Sequence, residues 1–231
     1  MHPSGTGGRS PSSPPAKGAS VVCADSDRAA AEATARLVAA EGGDADVVVG
    51  DVTDEAVCEA IVEAAGPLTG LVLNVGAGGA GMGLVGTSAA DWDAVFALNL
   101  RSHFLVTRAA LPDLPAGASI VFIGSLAGLQ PGSRVPAYDA SKAGLVGLCR
   151  HVALEGARHG VRANVVAPGL IDTPLGRAAS ARRSSRSRTR IPLGRQGTAW
   201  EVAAVTVFLL SADASYVTGE VVTVDGGLHL V

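Results

Sequence analysis

The sequence predicts an α/β protein built on a doubly wound parallel sheet. Three observations carry that prediction. Short runs rich in Val, Ile and Ala are almost continuously apolar, the mark of strands buried on both faces. Longer segments of helical character lie between these runs, so strand and helix alternate along the chain. Glycine, proline and capping residues close most of the segments.

Taken in order, Ser20–Ala24 (SVVCA) is the first predicted strand, and the Ala-rich Arg28–Glu41 is a helix ending at Gly42 and Gly43. Ala45–Gly50 (ADVVVG) is the next strand, and Asp54–Ala65 is a helix closed by Gly66 and Pro67. Gly70–Val75 (GLVLNV) is the third strand, followed by a loop holding Gly76, Gly78, Gly79, Gly81, Gly83 and Gly86. Ser88–Leu111 reads as one long helix with Thr87 or Ser88 as its cap. Ala118–Gly124 is a strand, Ala137–Arg158 a helix and Val161–Ala167 a strand. Thr198 with Glu201 three residues later makes a capping box that opens a helix to Ala212. Glu220–Val224 closes the series. Crossovers between parallel strands are expected to be right-handed.

Bulk properties narrow the function classes. A chain of 231 residues with 48% hydrophobic residues suits one globular α/β domain. No apolar run approaches the roughly 20 residues of a membrane helix, and residues 1–17 have no apolar stretch of the signal-peptide kind. A net charge of −3 points to neither nucleic acid nor membrane as partner. Cys23, Cys58 and Cys149 lie far apart, which suits reduced thiols in a cytoplasmic protein. The histidines lack metal-ligand spacing, so no metal site is expected.

Two segments break the rhythm. Residues 1–17 (MHPSGTGGRSPSSPPAK) contain no Val, Ile, Leu or Phe and carry four prolines, a composition that supplies neither a buried strand nor a stable helix. Gly176–Arg190 is polar and rich in arginine. It reads first as a solvated loop. The alternative is that its charge attracts an anionic substrate or an acyl carrier.

The chemistry centres on Tyr138 and Lys142, in Tyr-Asp-Ala-Ser-Lys. At i and i+4 they share one helix face. A free phenol titrates near pH 10 and is a poor base at neutral pH. An adjacent ammonium favours the phenolate and makes the pair a tuned acid/base. The chain has two tyrosines, and Lys142 is its only lysine besides Lys17, so a lysine among so many arginines suggests a specific need. The plain alternative is a surface Tyr–Lys pair. Ser125 follows directly on an apolar strand, at the carboxyl edge of the sheet, where open α/β folds bind ligands. Its alternative is an ordinary turn serine. Asp25 ends the first strand. A carboxylate there accepts hydrogen bonds from a ribose 2′-hydroxyl and repels a 2′-phosphate, although Arg28 nearby would suit a phosphate and Asp25 would also serve as a helix cap.

Ser125, Tyr138 thirteen residues on and Lys142 four further on together resemble the short-chain dehydrogenase/reductases. Other motifs agree along almost all of residues 18–231: Asp51 in Gly-Asp-Val-Thr, Asn74 in Leu-Asn-Val-Gly-Ala, Asn99 in Phe-Ala-Leu-Asn-Leu, Pro168–Gly169 with Thr173, and Val-Asp-Gly-Gly at 224–227. The resemblance, strongest to the members that reduce 3-oxoacyl carrier proteins, implies a Rossmann-like fold and an NAD(H)-dependent oxidoreductase that interconverts a secondary alcohol and a ketone. It implies Asn99, Ser125, Tyr138 and Lys142 as the catalytic set, with Tyr138 moving the proton. It implies a cofactor cradle of Asp25, Asp51, Val52, Asn74, Gly76, Tyr138, Lys142, Pro168, Gly169, Ile171 and Thr173. NAD is expected over NADP. The resemblance further implies a substrate lid at 176–197 and a homodimer or homotetramer formed through the two long helices.

The chain departs from the family at its start. Residues 1–17 stand where the family has its first strand and glycine-rich pyrophosphate turn, so that strand is expected to be missing or degraded, through a frameshift or misassigned start. Its loss would leave a gap between Ser20–Ala24 and Gly70–Val75. The rival reading that follows is a catalytically silent homologue, acting as a binding or assembly protein.

Overall fold

The computed structural model describes residues 19–79, 83–130, 132–173, 176–177, 180–181 and 189–231. The expected loss of a first strand falls on residues 1–17, outside the described residues. The chain divides into two compact units, Met1–Asp51 and Val52–Val231.

In the first unit, β1 (Ser20–Asp25) and β2 (Asp44–Val49) pair in parallel, with Ser20 opposite Asp44 and Asp25 opposite Val49. The crossover is α1 (Arg28–Ala40). Its cap is Asp27, whose carboxylate accepts from the N–H groups of Ala29 and Ala30 at 2.8 and 3.4 Å. The sequence had offered Asp25 for that role. The turn after α1 uses Gly42 at φ +82°, a left-handed conformation open to glycine at little cost.

In the second unit, β3 (Gly70–Leu73), β4 (Ser119–Ile123), β5 (Arg162–Pro168) and β8 (Val221–Val224) form a parallel sheet in that order. The two residues each of β6 (Ile171–Asp172) and β7 (Gly197–Thr198) form a separate short parallel pair. Helices α2 (Glu55–Ala65), α3 (Ala89–Phe96), α4 (Ser102–Ala110), α5 (Pro136–Ala157) and α6 (Ala199–Leu210) complete the unit's main elements. The central strands β4 and β5 are buried at nearly every position, which explains why their sequences do not alternate. Successive side chains point to opposite faces. Val121 and Val166 pack with Leu209 of α6 and with Ala214, while α5 lies against β5. Among the described residues, β1 pairs only with β2, and the edge of β3 away from β4 has no strand partner.

Polar groups inside this unit are tied down. Arg162 is buried on β5 and donates to the carbonyls of Leu209 (2.9 Å), Val217 (3.3 Å) and Ser211 (3.0 Å). Asn164, next on the same face, donates to Val217 O and accepts from the Glu220 N–H. These bonds fix the end of α6 and the entry to β8 against the central strand. The predicted helix Ser88–Leu111 is broken in its middle. Residues Ala97–Arg101 wind as a π-helical turn between α3 and α4. Such insertions are frequent at functional sites, and this one contains Asn99.

Candidate active site

The carboxyl end of β4 supplies the first wall of the site. The Gly124 N–H continues the ladder to Val166 O at 2.8 Å, and Ser125 then leaves the sheet in extended conformation. The Ser125 Oγ accepts from the Ala127 N–H at 3.2 Å and caps a short 3-10 turn, Leu126–Gly128. This turn rests on α5 so closely that a Cβ on Gly128 would lie 2.6 Å from the Lys142 carbonyl carbon. Glycine is therefore what lets the loop of Ser125 approach the helix of Tyr138 and Lys142.

Helix α5 opens on Pro136, whose fixed φ and missing N–H suit a first helical turn. Tyr138 and Lys142 follow on one face. The Lys142 ammonium is buried and donates to Ile123 O, the last carbonyl of β4, at 2.8 Å. Burial pushes its pKa down to about 8. An ammonium has three N–H donors, and Ile123 O is its one protein acceptor among the described residues, so two donors remain for a ligand.

Asn99 is wholly buried and clamps the loop that leaves β3. Its Oδ1 accepts from the Ala77 N–H at 2.8 Å, and its Nδ2 donates to Ala77 O at 2.9 Å and to Ser141 Oγ at 3.1 Å. Ser141 Oγ in turn donates to Tyr138 O at 2.9 Å. The π turn thus connects the glycine loop to the backbone of the tyrosine. Gly76 sits in this junction, where a Cβ would lie 3.2 Å from Lys142 Nζ and 3.3 Å from Asn99 Oδ1. The structure therefore gathers Asn99, Lys142, Tyr138, Gly76 and the loop of Ser125.

Sequence reasoning overlooked His103. It is 1% exposed beneath this cluster, with Nε2 3.1 Å from Leu73 O and Nδ1 3.2 Å from Ser102 Oγ. Burial, with the Lys142 charge adding to it against the Leu73 bond, lowers its pKa to about 3 and keeps it neutral. A polar residue followed directly by the apolar run Phe104–Val106 was the available signal.

The remaining expected residues fall at strand ends. Asn74 follows β3 and is exposed, and Val52 is buried with its carbonyl accepting from Cys58 Sγ. Pro168 ends β5; a Cβ on the next residue, Gly169, would lie 2.6 Å from Asp225 Cβ. Ile171 is buried in β6, and Thr173 Oγ1 accepts from the Gly176 N–H. In the first unit, Asp25 ends β1 with Oδ1 accepting from the Asp27 N–H at 2.9 Å, and Asp51 is exposed. Arg28 lies 3.7 Å from Glu32 on α1. Of the lid arginines, Arg177 pairs with Asp172 at 2.7 Å and Arg195 clamps both oxygens of Glu201 at 2.7 and 2.9 Å. Arg182, Arg183, Arg186 and Arg188 lie outside the described residues.

These residues fit the nicotinamide end of a dinucleotide. A buried ammonium with spare donors suits a ribose diol, and Gly76 keeps side-chain bulk away from it. Residues 1–17, which stand where the family has its pyrophosphate turn, lie outside the described residues.

Comparison with known proteins adds four findings. Residues 13–229 match the family model described as Enoyl-(Acyl carrier protein) reductase. The chain is 40% identical over 228 residues to "Inactive 2-(S)-hydroxypropyl-CoM dehydrogenase 2" of Xanthobacter autotrophicus, covering 93% of this chain and 96% of that one. It is 36% identical over 218 residues to the 3-oxoacyl-[acyl-carrier-protein] reductase of Thermotoga maritima, covering 92% and 88%. Among solved structures it resembles levodione reductase, with a TM-score of 0.85, 33% identity and 91% and 88% of the two chains covered.

Proposed function

Because the chain belongs to the short-chain dehydrogenase/reductase family of nicotinamide-dependent oxidoreductases, we propose that it interconverts a secondary alcohol and a ketone with NAD(H), using Tyr138 as acid/base. The observation that carries this reading is the buried Lys142 ammonium, held at Ile123 O one helical turn from Tyr138.

The nicotinamide, when bound, supplies or accepts the hydride. In the reducing direction, the Tyr138 hydroxyl gives its proton to the oxygen of the substrate carbonyl. The Lys142 charge lowers the cost of the phenolate left behind. The Ser125 hydroxyl donates to the same oxygen and fixes the angle of the carbonyl. Asn99 holds the Gly76–Ala77 loop in place and leaves one Oδ1 lone pair for a water between Lys142 and solvent. Oxidation runs the same steps in reverse.

Within the second unit, Lys142, Gly76, Asn74 and the Pro168–Thr173 loop would hold the nicotinamide half of the cofactor; within the first, Asp25 and Asp51 are the residues suited to adenosine, with Val52 following them in the chain. NAD is favoured over NADP because Asp27 caps α1 and leaves an Asp25 oxygen for a ribose 2′-hydroxyl. Arg28, the residue suited to a 2′-phosphate, is directed along its helix toward Glu32. The substrate is a small ketone or alcohol of acyl or anionic character, as the names of the relatives suggest. Assembly as a homodimer or homotetramer is supported by an open groove on α3, α4 and α5 lined by Phe96, Leu100, Phe104 and Leu148. The burial of Cys23, Cys58 and Cys149 at three separate places supports a reducing cytoplasmic setting, and no described helix is long and apolar enough to cross a membrane.

The test is a panel of ketones, assayed with NADH and NADPH, for the purified chain and Tyr138→Phe. NADH-driven reduction that Tyr138→Phe lowers by about a thousandfold supports the reading, since general acid catalysis contributes 10²–10⁴-fold. Full activity in Tyr138→Phe, or a preference for NADPH, would sink the corresponding half.

A further inference from the structure

We propose that Arg134 is a specificity-determining residue that binds an anionic group, phosphate or sulfonate, carried on the tail of the ketone. This rests on the oxidoreductase reading above and names its substrate class.

Arg134 is the one non-glycine among the described residues with positive φ, at +64°. An arginine there carries backbone strain that glycine would avoid. Strain of this kind gathers where a side chain has a task. Its place in the chain supplies the task. Arg134 stands between Ser125 and Tyr138, two residues before Pro136 opens α5. Its carbonyl accepts from the Gly83 N–H at 2.9 Å, which ties it to the glycine loop after β3. Next to Gly83 on that loop, Leu84 and Val85 are 79% and 103% exposed. An exposed apolar pair and a cation are therefore brought together where the glycine loop bonds the segment that leads into the helix of the tyrosine.

The guanidinium also lacks a carboxylate. All 21 acidic residues of the chain lie among the described residues, and none forms an ion pair with Arg134. The lid arginines Arg177 and Arg195, by contrast, are neutralised by Asp172 and Glu201. A rim with an uncompensated fork of N–H donors and apolar neighbours fits a ketone with a short apolar linker and a terminal oxyanion.

The test uses three ketones: acetoacetyl-coenzyme A, which carries phosphates; acetonylthio-ethanesulfonate, which carries a sulfonate; and the neutral N-acetylcysteamine thioester of acetoacetate. The variants are Arg134→Gly, which removes the charge and relieves the strained φ, and Arg134→Lys, which keeps the charge. In Arg134→Gly the ratio of kcat/KM for an anionic ketone to that for the neutral thioester falls about tenfold to a hundredfold, through KM. Arg134→Lys restores part of it, and added salt narrows the difference. Whichever anionic ketone shows the fall identifies the group. An equal loss on the neutral thioester would assign Arg134 a structural role and overturn the proposal, as would an unchanged ratio for both anions. If the parent chain turns over no ketone, the oxidoreductase reading fails separately. Calorimetric titration with coenzyme A and with acetonylthio-ethanesulfonate then decides. Weaker binding to Arg134→Gly upholds the assignment. Equal affinity, or no binding to the parent chain, overturns it.

Discussion

At the residue scale, Lys142 shows how a site is built at the expense of stability. Its ammonium is buried at the site proposed for the chemistry, with Ile123 O as its protein acceptor among the described residues. The folded chain holds its pKa at about 8, below the free value of 10.5. Between these values the unfolded chain binds more protons than the folded one, so stability rises as pH rises through that window. Below pH 8 the full cost of burying the charge is present. Lys142→Met is therefore expected to lose activity yet melt higher at pH 7, by about 1–3 kcal/mol, as when buried charges give way to apolar residues. That gain shrinks from pH 8 toward 10.5, and thermal melts of both proteins across this range check it. A gain independent of pH would mean that packing, not charge, is responsible. His103 sits beside the same charge and has the same sign of consequence for acid, in a lower pH window. Its neutral form is the one the fold accepts, so its contribution is complete above pH 6.5 and is lost as pH falls toward about 3.

At the scale of elements, close backbone approaches set the site. The 3-10 turn after Ser125 lies against α5 because Gly128 has no side chain. Gly128→Ala would drive a methyl into the backbone of Lys142 and Ala143, which cannot rotate aside as a flexible side chain would. Overpacking of this kind costs about 1–3 kcal/mol. The expected result is a lower Tm together with a lower kcat, because the turn that carries Ser125 shifts. A variant that loses neither in melting and steady-state assays would show that the turn has room to move. Asn99 depends on a similar local departure. A regular helix over Ser88–Leu111 is what the sequence pattern predicts, and the π turn at Ala97–Arg101 is what the structure contains. Its polar centre is bonded to Ala77 and Ser141 rather than to its own helix, and no helical period contains that information. The capping box of α6 was legible because it is local: Thr198 and Glu201 are three residues apart and satisfy each other's backbone donors.

At the scale of the molecule, the groove on α3, α4 and α5 is the surface proposed for assembly. Phe96, Leu100 and Phe104 line it from one side and Gly144 and Leu148 from the other, with Phe104 43% exposed. A charge placed there would be desolvated on association, which is costly unless a matched partner meets it. Leu148→Arg is expected to dissociate the assembled protein to smaller species in sedimentation while the circular dichroism of the fold persists. An unchanged sedimentation coefficient would move the assembly surface elsewhere. Within the arginine-rich segment, Arg177 is committed to Asp172 and Arg195 to Glu201, whereas Arg134, outside that segment and four residues before Tyr138, has no carboxylate partner among the described residues.

The sequence by itself determined the alternation of strand and helix, the strand ends at which Ser125, Asn74 and Pro168 fall, and the one-face pairing of Tyr138 with Lys142. Each is a matter of local propensity and period, written within a window of a few residues. The tertiary structure alone decided that Lys142 is desolvated against Ile123, that Asn99 reaches Ala77 22 residues back, that His103 reaches Leu73 30 residues back, and that Asp27 rather than Asp25 caps α1. The first three depend on which distant segments close on one another and exclude water. The fourth depends on where the chain turns from strand to helix, a boundary that propensity leaves open by a residue or two.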